Sequence, residues 1–296
     1  MNIPMLDIPR LHEPFQEELE EAFRQLSRSG RYINGPAVAE FEQSLTGYTG
    51  ARFAAAVSSG TDALLCALMA LGVKPGDEVI TTTYTFFATA GCIARLCATP
   101  VFVDAQADSF NIDPSAIEAA ITPRTVGIVP VHLFGRCADM TAVNAIARKF
   151  HLFVIEDAAQ AIGAGHGGKA AGTMGDAAIF SFFPAKNLGA LGDAGAIVTG
   201  DGALDERIRV LRSHGAKKKY HHEEVGGNFR IDTLQANPDW FRTIQRASDR
   251  VEQLNQRLTD GGAPLAAEAD RRPSAVAALR AAYDAMATER FADALQ

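Results

Sequence analysis

The sequence is poor in cysteine, in clustered basic residues and in long apolar runs, and each shortage excludes a class of protein. Its four cysteines, Cys66, Cys92, Cys97 and Cys137, have no CxxC spacing, which argues against a disulfide framework and a thiolate metal site. They sit mostly in apolar stretches and read as reduced, buried thiols. Lysine and arginine number 28 against 35 acidic residues, a net charge of -7. Such a chain offers no basic stripe to nucleic-acid phosphates, and the triplet Lys217-Lys218-Lys219 is too short to reverse that. No uninterrupted apolar run reaches membrane-spanning length. The N-terminus lacks a basic segment followed by an apolar core, so no signal peptide is expected and the expected compartment is the cytoplasm. His132, His151 and His166 stand alone and read as structural or exposed. With no HxxxH or Cys/His cluster, no metal site is expected.

What remains is a globular chain of 296 residues, 47% hydrophobic and 21% charged, long enough to bury a sizeable core. Between about residues 50 and 200, short apolar runs alternate with helical stretches. Strands are predicted at 53–57, 78–82, 100–103, 126–131, 152–155, 177–182 and 196–199, and a helix over 62–71. Runs that are apolar without alternation indicate strands covered on both faces, hence an α/β fold with a mostly parallel sheet between helices. Ligands of such sheets collect at the carboxyl ends of the strands. After Ala236 the character changes. Asn237-Pro238 reads as an N-cap with a first-turn proline, and Trp240, Ile244, Ala247, Val251, Leu254 and Leu258 follow at helical spacing. A large domain over 1–236 and a helical tail over 237–296 are therefore expected.

Three strand-end segments carry chemistry. Ser58-Ser59-Gly60-Thr61-Asp62 joins a strand to a helix, where free N–H groups and the positive helix end form a phosphate cradle. A plain N-cap is the commoner use of such residues. Glu156-Asp157 closes a buried strand, and a carboxylate there suits a metal ion, a protonated ring nitrogen or a capping role. Lys186 follows the apolar run Ala178–Phe182 and precedes a glycine-rich stretch. A lysine beside an apolar strand end can lose its proton, which amine nucleophilicity requires. Ser181, five residues earlier, adds a hydroxyl. Anchor, ring partner and covalent tether, in that order, are what pyridoxal phosphate catalysis needs.

Five motifs, Ser59–Leu64, Gly76–Ile80, Ile155–Gln160, Ser181–Lys186 and Gly192–Ala196, together resemble the sugar aminotransferases of DegT/StrS type, from about residue 5 to 236. The resemblance implies the large domain of a fold-type I enzyme, with pyridoxal 5'-phosphate held by Lys186 as a Schiff base. It further implies that Asp157 pairs with the pyridinium nitrogen, Phe86 stacks on the ring, and Gln160 lies near its 3-oxygen. Gly60, Thr61 and Ser181 would bind the phosphate, and Asn228 would reach the phosphate of the neighbouring subunit in a homodimer. The implied reaction is ping-pong amination of a nucleotide-linked keto-sugar with L-glutamate as donor. Lys219, Tyr220, His221 and His222 are candidates for holding the nucleotide sugar. In place of the family's usual small domain stands the helical tail. Two alternatives remain: a pyridoxal-phosphate sugar dehydratase, against which Lys186 speaks, and a catalytically impaired homologue serving as an interaction protein.

Overall fold

In the computed structural model, the structure describes residues 8–218 and 220–236. The helical tail expected over 237–296, and Lys219, lie outside the described residues. The helices are α1 (Ile8–His12), α2 (Gln16–Ser29), α3 (Pro36–Thr49), α4 (Gly60–Ala70), α5 (Ala88–Arg95), α6 (Pro114–Ala120), α7 (Met140–Phe150) and α8 (Gly202–Arg212). Seven strands form one sheet: β1 (Phe53–Val57), β2 (Glu78–Thr82), β3 (Thr99–Val103), β4 (Thr125–Val129), β5 (Phe153–Asp157), β8 (Ala177–Ser181) and β9 (Gly195–Thr199). Two short hairpins complete the set among the described residues: β6 (Gly165–His166) with β7 (Lys169–Ala170), and β10 (Ala216–Lys218) with β11 (His221–His222).

The sheet order is β1-β9-β8-β5-β4-β2-β3. Every pairing is parallel except the two made by β9. The α/β fold and mostly parallel sheet expected from the apolar runs are thus found. Pro100 is tolerated because β3 is an edge strand. Inverted β9 has a local consequence: its first residue, Gly195, pairs with both Val57 and Ser181, the last residues of β1 and β8. Two carboxyl ends of parallel strands therefore meet at one glycine.

Helix α4 explains how this end is organised. It is apolar nearly all round, with Ala63, Leu64, Leu65, Cys66, Ala67, Leu68 and Ala70 buried, as suits a helix packed on every side. It lies in one hydrophobic cluster with Ile155, Ile179 and Ile197 of the sheet and with Ile93 and Ile208 of α5 and α8. On the opposite side, Ile80, Ile128 and Val154 pack with Ile117 of α6 and with Met140 and Val143 of α7. Side chains alternate across a strand, so Ile155 and Asp157 face α4 while Val154 and Glu156 face away. Two of the four thiols depart from expectation. Cys66 and Cys92 are buried, but Cys97 is exposed and Cys137 only partly covered. Cys97 sits at φ +57 in the turn after α5, just ahead of β3, where a chain at the surface cannot cover it.

Candidate active site

A cavity of about 520 Å³ opens at the carboxyl ends of β1, β5 and β8. Its wall includes Gly60, Thr61, Phe86, Asp157, Gln160, Ser181 and Lys186. Residues more than a hundred positions apart in sequence thus line one space. Asn228, Tyr220, His221 and His222 are absent from this wall. Asn228 is exposed and forms a backbone bridge with Ser213, while the tyrosine and both histidines stand exposed around the β10–β11 hairpin. His222 Nδ1 lies 2.8 Å from the His214 carbonyl.

The cradle follows from close backbone approach. Ser59 caps α4, its Oγ accepting the Asp62 N–H at 3.0 Å, while Ser58 Oγ donates to Asp62 at 2.6 Å. The cap reading is found, and it takes one N–H while leaving the first-turn N–H groups of Gly60 and Thr61 without an intrahelical acceptor. A Cβ on Gly60 would stand 2.7 Å from Ser181 Cβ, and one on Gly195 would stand 2.4 Å from the Ser59 carbonyl. Only glycines let the helix start, the β8 end and the β9 start converge. An anion seated there meets backbone N–H groups and a positive helix end.

Asp157 is buried in the cavity wall. Its Oδ2 accepts the Thr89 hydroxyl at 2.8 Å, and its Oδ1 accepts the Ala159 N–H at 3.3 Å. Burial pushes its carboxyl above the usual 3.8, and these two donors with nearby His132 and Lys186 offset only part of that. Lys186 is half-buried on the loop after β8. Burial lowers its amine below the usual 10.5, with Asp157 pulling the other way. The amine thus gives up its proton more readily than a surface lysine, and the carboxylate lacks a full cationic partner.

Gln160 is held by its carbonyl end, with Oε1 accepting the Phe134 N–H at 2.8 Å. Phe86 lies on the wall 71% exposed, which removes ordinary core packing as its explanation. Thr89 was not among the sequence candidates. It lies four residues after Thr85, whose hydroxyl is 3.0 Å from its own, and that i,i+4 hydroxyl pair was the only signal of it. Asp193, also on the wall, was missed because it belongs to a loop.

Glu156 resolves the ambiguity of the paired carboxylates. It points away from the cavity and accepts four hydrogen bonds: His132 Nε2 at 2.9 Å, and the N–H groups of Gly172, Met174 and Gly175 at 2.9, 2.6 and 2.7 Å. Burial would raise its carboxyl, but these donors outweigh it and hold it below the usual range. It has no lone pair left for a ligand. The site therefore offers an anion cradle, one buried carboxylate and one readily deprotonated amine. A phosphorylated, cationic-ring aldehyde finds a partner for each end, and pyridoxal phosphate is such a molecule.

Proteins of known name resemble this chain over most of its length. The pleiotropic regulatory protein of Geobacillus stearothermophilus is 52% identical over 236 residues, 80% of this chain and 63% of that protein. The UDP-2-acetamido-2-deoxy-3-oxo-D-glucuronate aminotransferase of Pseudomonas aeruginosa is 47% identical over 234 residues, 79% of this chain and 65% of that one. This chain spans somewhat less than two thirds of the length of these curated relatives. DesV of S. venezuelae, solved in complex with a ketimine intermediate, superimposes with a TM-score of 0.80 at 42% identity, covering 89% of this chain and 71% of that one. The family match runs past Ala236, where the resemblance read from the motifs stops. Matching over residues 14–260, the chain belongs to the DegT/DnrJ/EryC1/StrS aminotransferase family.

Proposed function

We propose that the protein transfers an amino group from L-glutamate to a nucleotide-linked keto-sugar, working as a homodimer in the cytoplasm. Pyridoxal phosphate is the cofactor of this family's aminotransferases. Bound in the cavity, it supplies the carbonyl that takes up the amine and the electron-withdrawing ring that acidifies the neighbouring C–H bond. The observation that carries this reading is that Lys186 and Asp157 face one cavity together with the Gly60–Thr61 cradle.

Each role follows from the chemistry of its residue. The Lys186 amine, its proton affinity lowered by burial, would tether the cofactor's carbonyl carbon and would hold or move the proton at the substrate carbon. Asp157 carries a buried carboxyl group that would pair with the protonated ring nitrogen. Gly60 and Thr61 N–H groups and the Ser181 hydroxyl receive the phosphate. Phe86 offers a ring face, and Gln160 offers its amide NH2 to the ring oxygen. Asn228, exposed, is assigned to the partner's phosphate, and Tyr220, His221 and His222 to the nucleotide sugar with Lys219. Relatives named for UDP-3-oxo and dTDP-3-amino sugars support a sugar aminated at carbon 3. Residues 1–236 form the cofactor domain in this reading, with 237–296 as an appended segment.

Adding pyridoxal phosphate should produce an absorbance band near the visible edge that borohydride removes and that Lys186→Ala lacks. L-glutamate should convert the band and release 2-oxoglutarate. Absence of the band sinks the catalytic reading, and a band untouched by L-glutamate redirects it toward sugar dehydration.

A further inference from the structure

Gln160 enters the cavity with one end of its amide committed. Because Oε1 accepts the Phe134 N–H at 2.8 Å, NH2 is the end left to serve a ligand. That N–H faces Gln160 from an unusual turn, with Phe134 at φ +53 and Gly135 at φ +83. A phenylalanine in the left-handed region is strained and persists only where its surroundings hold it.

Two buried side chains hold this turn. Asn111, 1% exposed, accepts the Leu133 N–H at 3.0 Å and donates Nδ2–H to the Arg136 carbonyl at 2.9 Å. His132, fully buried, accepts the Ala138 N–H on Nδ1 at 3.2 Å. With Nδ1 accepting, the ring proton sits on Nε2 and is donated to Glu156 at 2.9 Å. The His132 backbone N–H also donates to the Asp157 carbonyl at 2.9 Å. One residue thus fastens the turn, through Glu156 and the Asp157 backbone, to the strand that carries the cavity carboxylate.

We propose that His132, together with Asn111, is a positioning residue that locks the 133–136 turn so that Phe134 fixes the Gln160 amide with its NH2 toward the cavity. Neither residue touches the cavity; both act through Gln160. The inference rests on the cavity being the cofactor site, and two separate readouts keep the two ideas apart.

The first readout is amide hydrogen exchange of Phe134 in the cofactor-free protein, since its bond to Gln160 is what shields an N–H on an exposed residue. His132→Asn keeps an acceptor for Ala138 but loses the donor to Glu156. Asn111→Ala removes the other support and leaves no buried charge. Both should speed Phe134 exchange at least about tenfold, as Gln160→Ala should. The second readout is the rate at which L-glutamate converts the absorbance of added pyridoxal phosphate. Both variants should slow it about tenfold, and neither should slow it further in a chain already carrying Gln160→Ala. Unchanged Phe134 exchange, or effects that multiply with Gln160→Ala, overturns the proposal. If His132→Asn does not fold, Asn111→Ala decides alone. If the wild-type chain shows no band, the functional reading falls while Phe134 exchange still judges the turn.

Discussion

Asp157 and Lys186 each carry a protonation state that burial disfavours, and that sets a stability prediction opposite to the usual one for a carboxylate. In the unfolded chain Asp157 titrates near its ordinary value of 3.8, and in the folded chain higher. Above that ordinary value folding must bury a charge, and the penalty grows with pH until the raised value is passed. Asp157→Asn removes it. The cofactor-free variant should melt a few degrees above wild type at pH 7, at roughly 2–4 °C per kcal/mol for a chain of this size. The difference should vanish as pH falls below about 4, where folded and unfolded carboxyls are both protonated. Adding pyridoxal phosphate at pH 7 should reverse the order, because the wild-type carboxylate then gains its cation. Calorimetry across this pH range, with and without cofactor, checks both halves. Gly60 carries a second prediction at this scale. A Cβ there meets Ser181 Cβ at 2.7 Å, so Gly60→Ala must push the α4 start off the β8 end. The expected cost is about 2 kcal/mol of stability and at least about a tenfold weaker cofactor affinity by titration.

Among the elements, β5 shows most clearly what periodicity reveals and what it hides. Its apolar run announces a strand, and alternation alone puts Ile155 and Asp157 on one face and Glu156 on the other. Phe53–Val57 and Glu78–Thr82 were legible as short runs rich in apolar or β-branched residues and bounded by turn residues, and both strands are almost wholly buried. Gly60, Asp157 and Lys186 drew attention because each ends or follows such a run, whereas Phe86, Gln160 and Asn228 were named only by the family resemblance. What periodicity could not show was where Glu156 goes, since His132 and the Gly172–Gly175 loop reach it through tertiary packing. His132 looked isolated because its partner lies on the next strand. The turns around Cys97 and Phe134 depend on left-handed backbone at non-glycine residues, which no local pattern marks. Glu156→Gln tests the buried hub. An amide NH2 placed among four donors leaves at least one unmatched, at an expected cost of about 3 kcal/mol. Wild-type stability from this carboxylate is present above its ordinary value and lost as pH falls through its depressed folded value. Denaturant unfolding should therefore show the gap between variant and wild type narrowing in acid.

At the scale of the whole molecule, several aromatic side chains among the described residues stand exposed on or beside the cavity wall. Phe86 is 71% exposed, Phe87 81%, and Phe134 63%; Phe183, on the cavity wall, is half-exposed. Grouped exposed aromatics of this kind mark protein–protein contact more often than open solvent surface. No described helix is long and apolar enough to cross a membrane. If a second copy covers this side, each cavity draws Lys186 from one chain and Asn228 from the other, and complementation follows from two-fold symmetry. Chains carrying Lys186→Ala alone and chains carrying Asn228→Ala alone should each bind pyridoxal phosphate poorly or not at all. When they are mixed and allowed to exchange, half of the dimers are hybrids, and each hybrid has one cavity with both residues intact. The absorbance band should return to about a quarter of the wild-type value. Phe87→Asp, which places a charge in the contact, should lower the mass in solution toward one chain and abolish this recovery. A band that stays at the level of the separate variants after exchange would mean that each cavity is completed within its own chain, and Asn228 would then lose its assigned role.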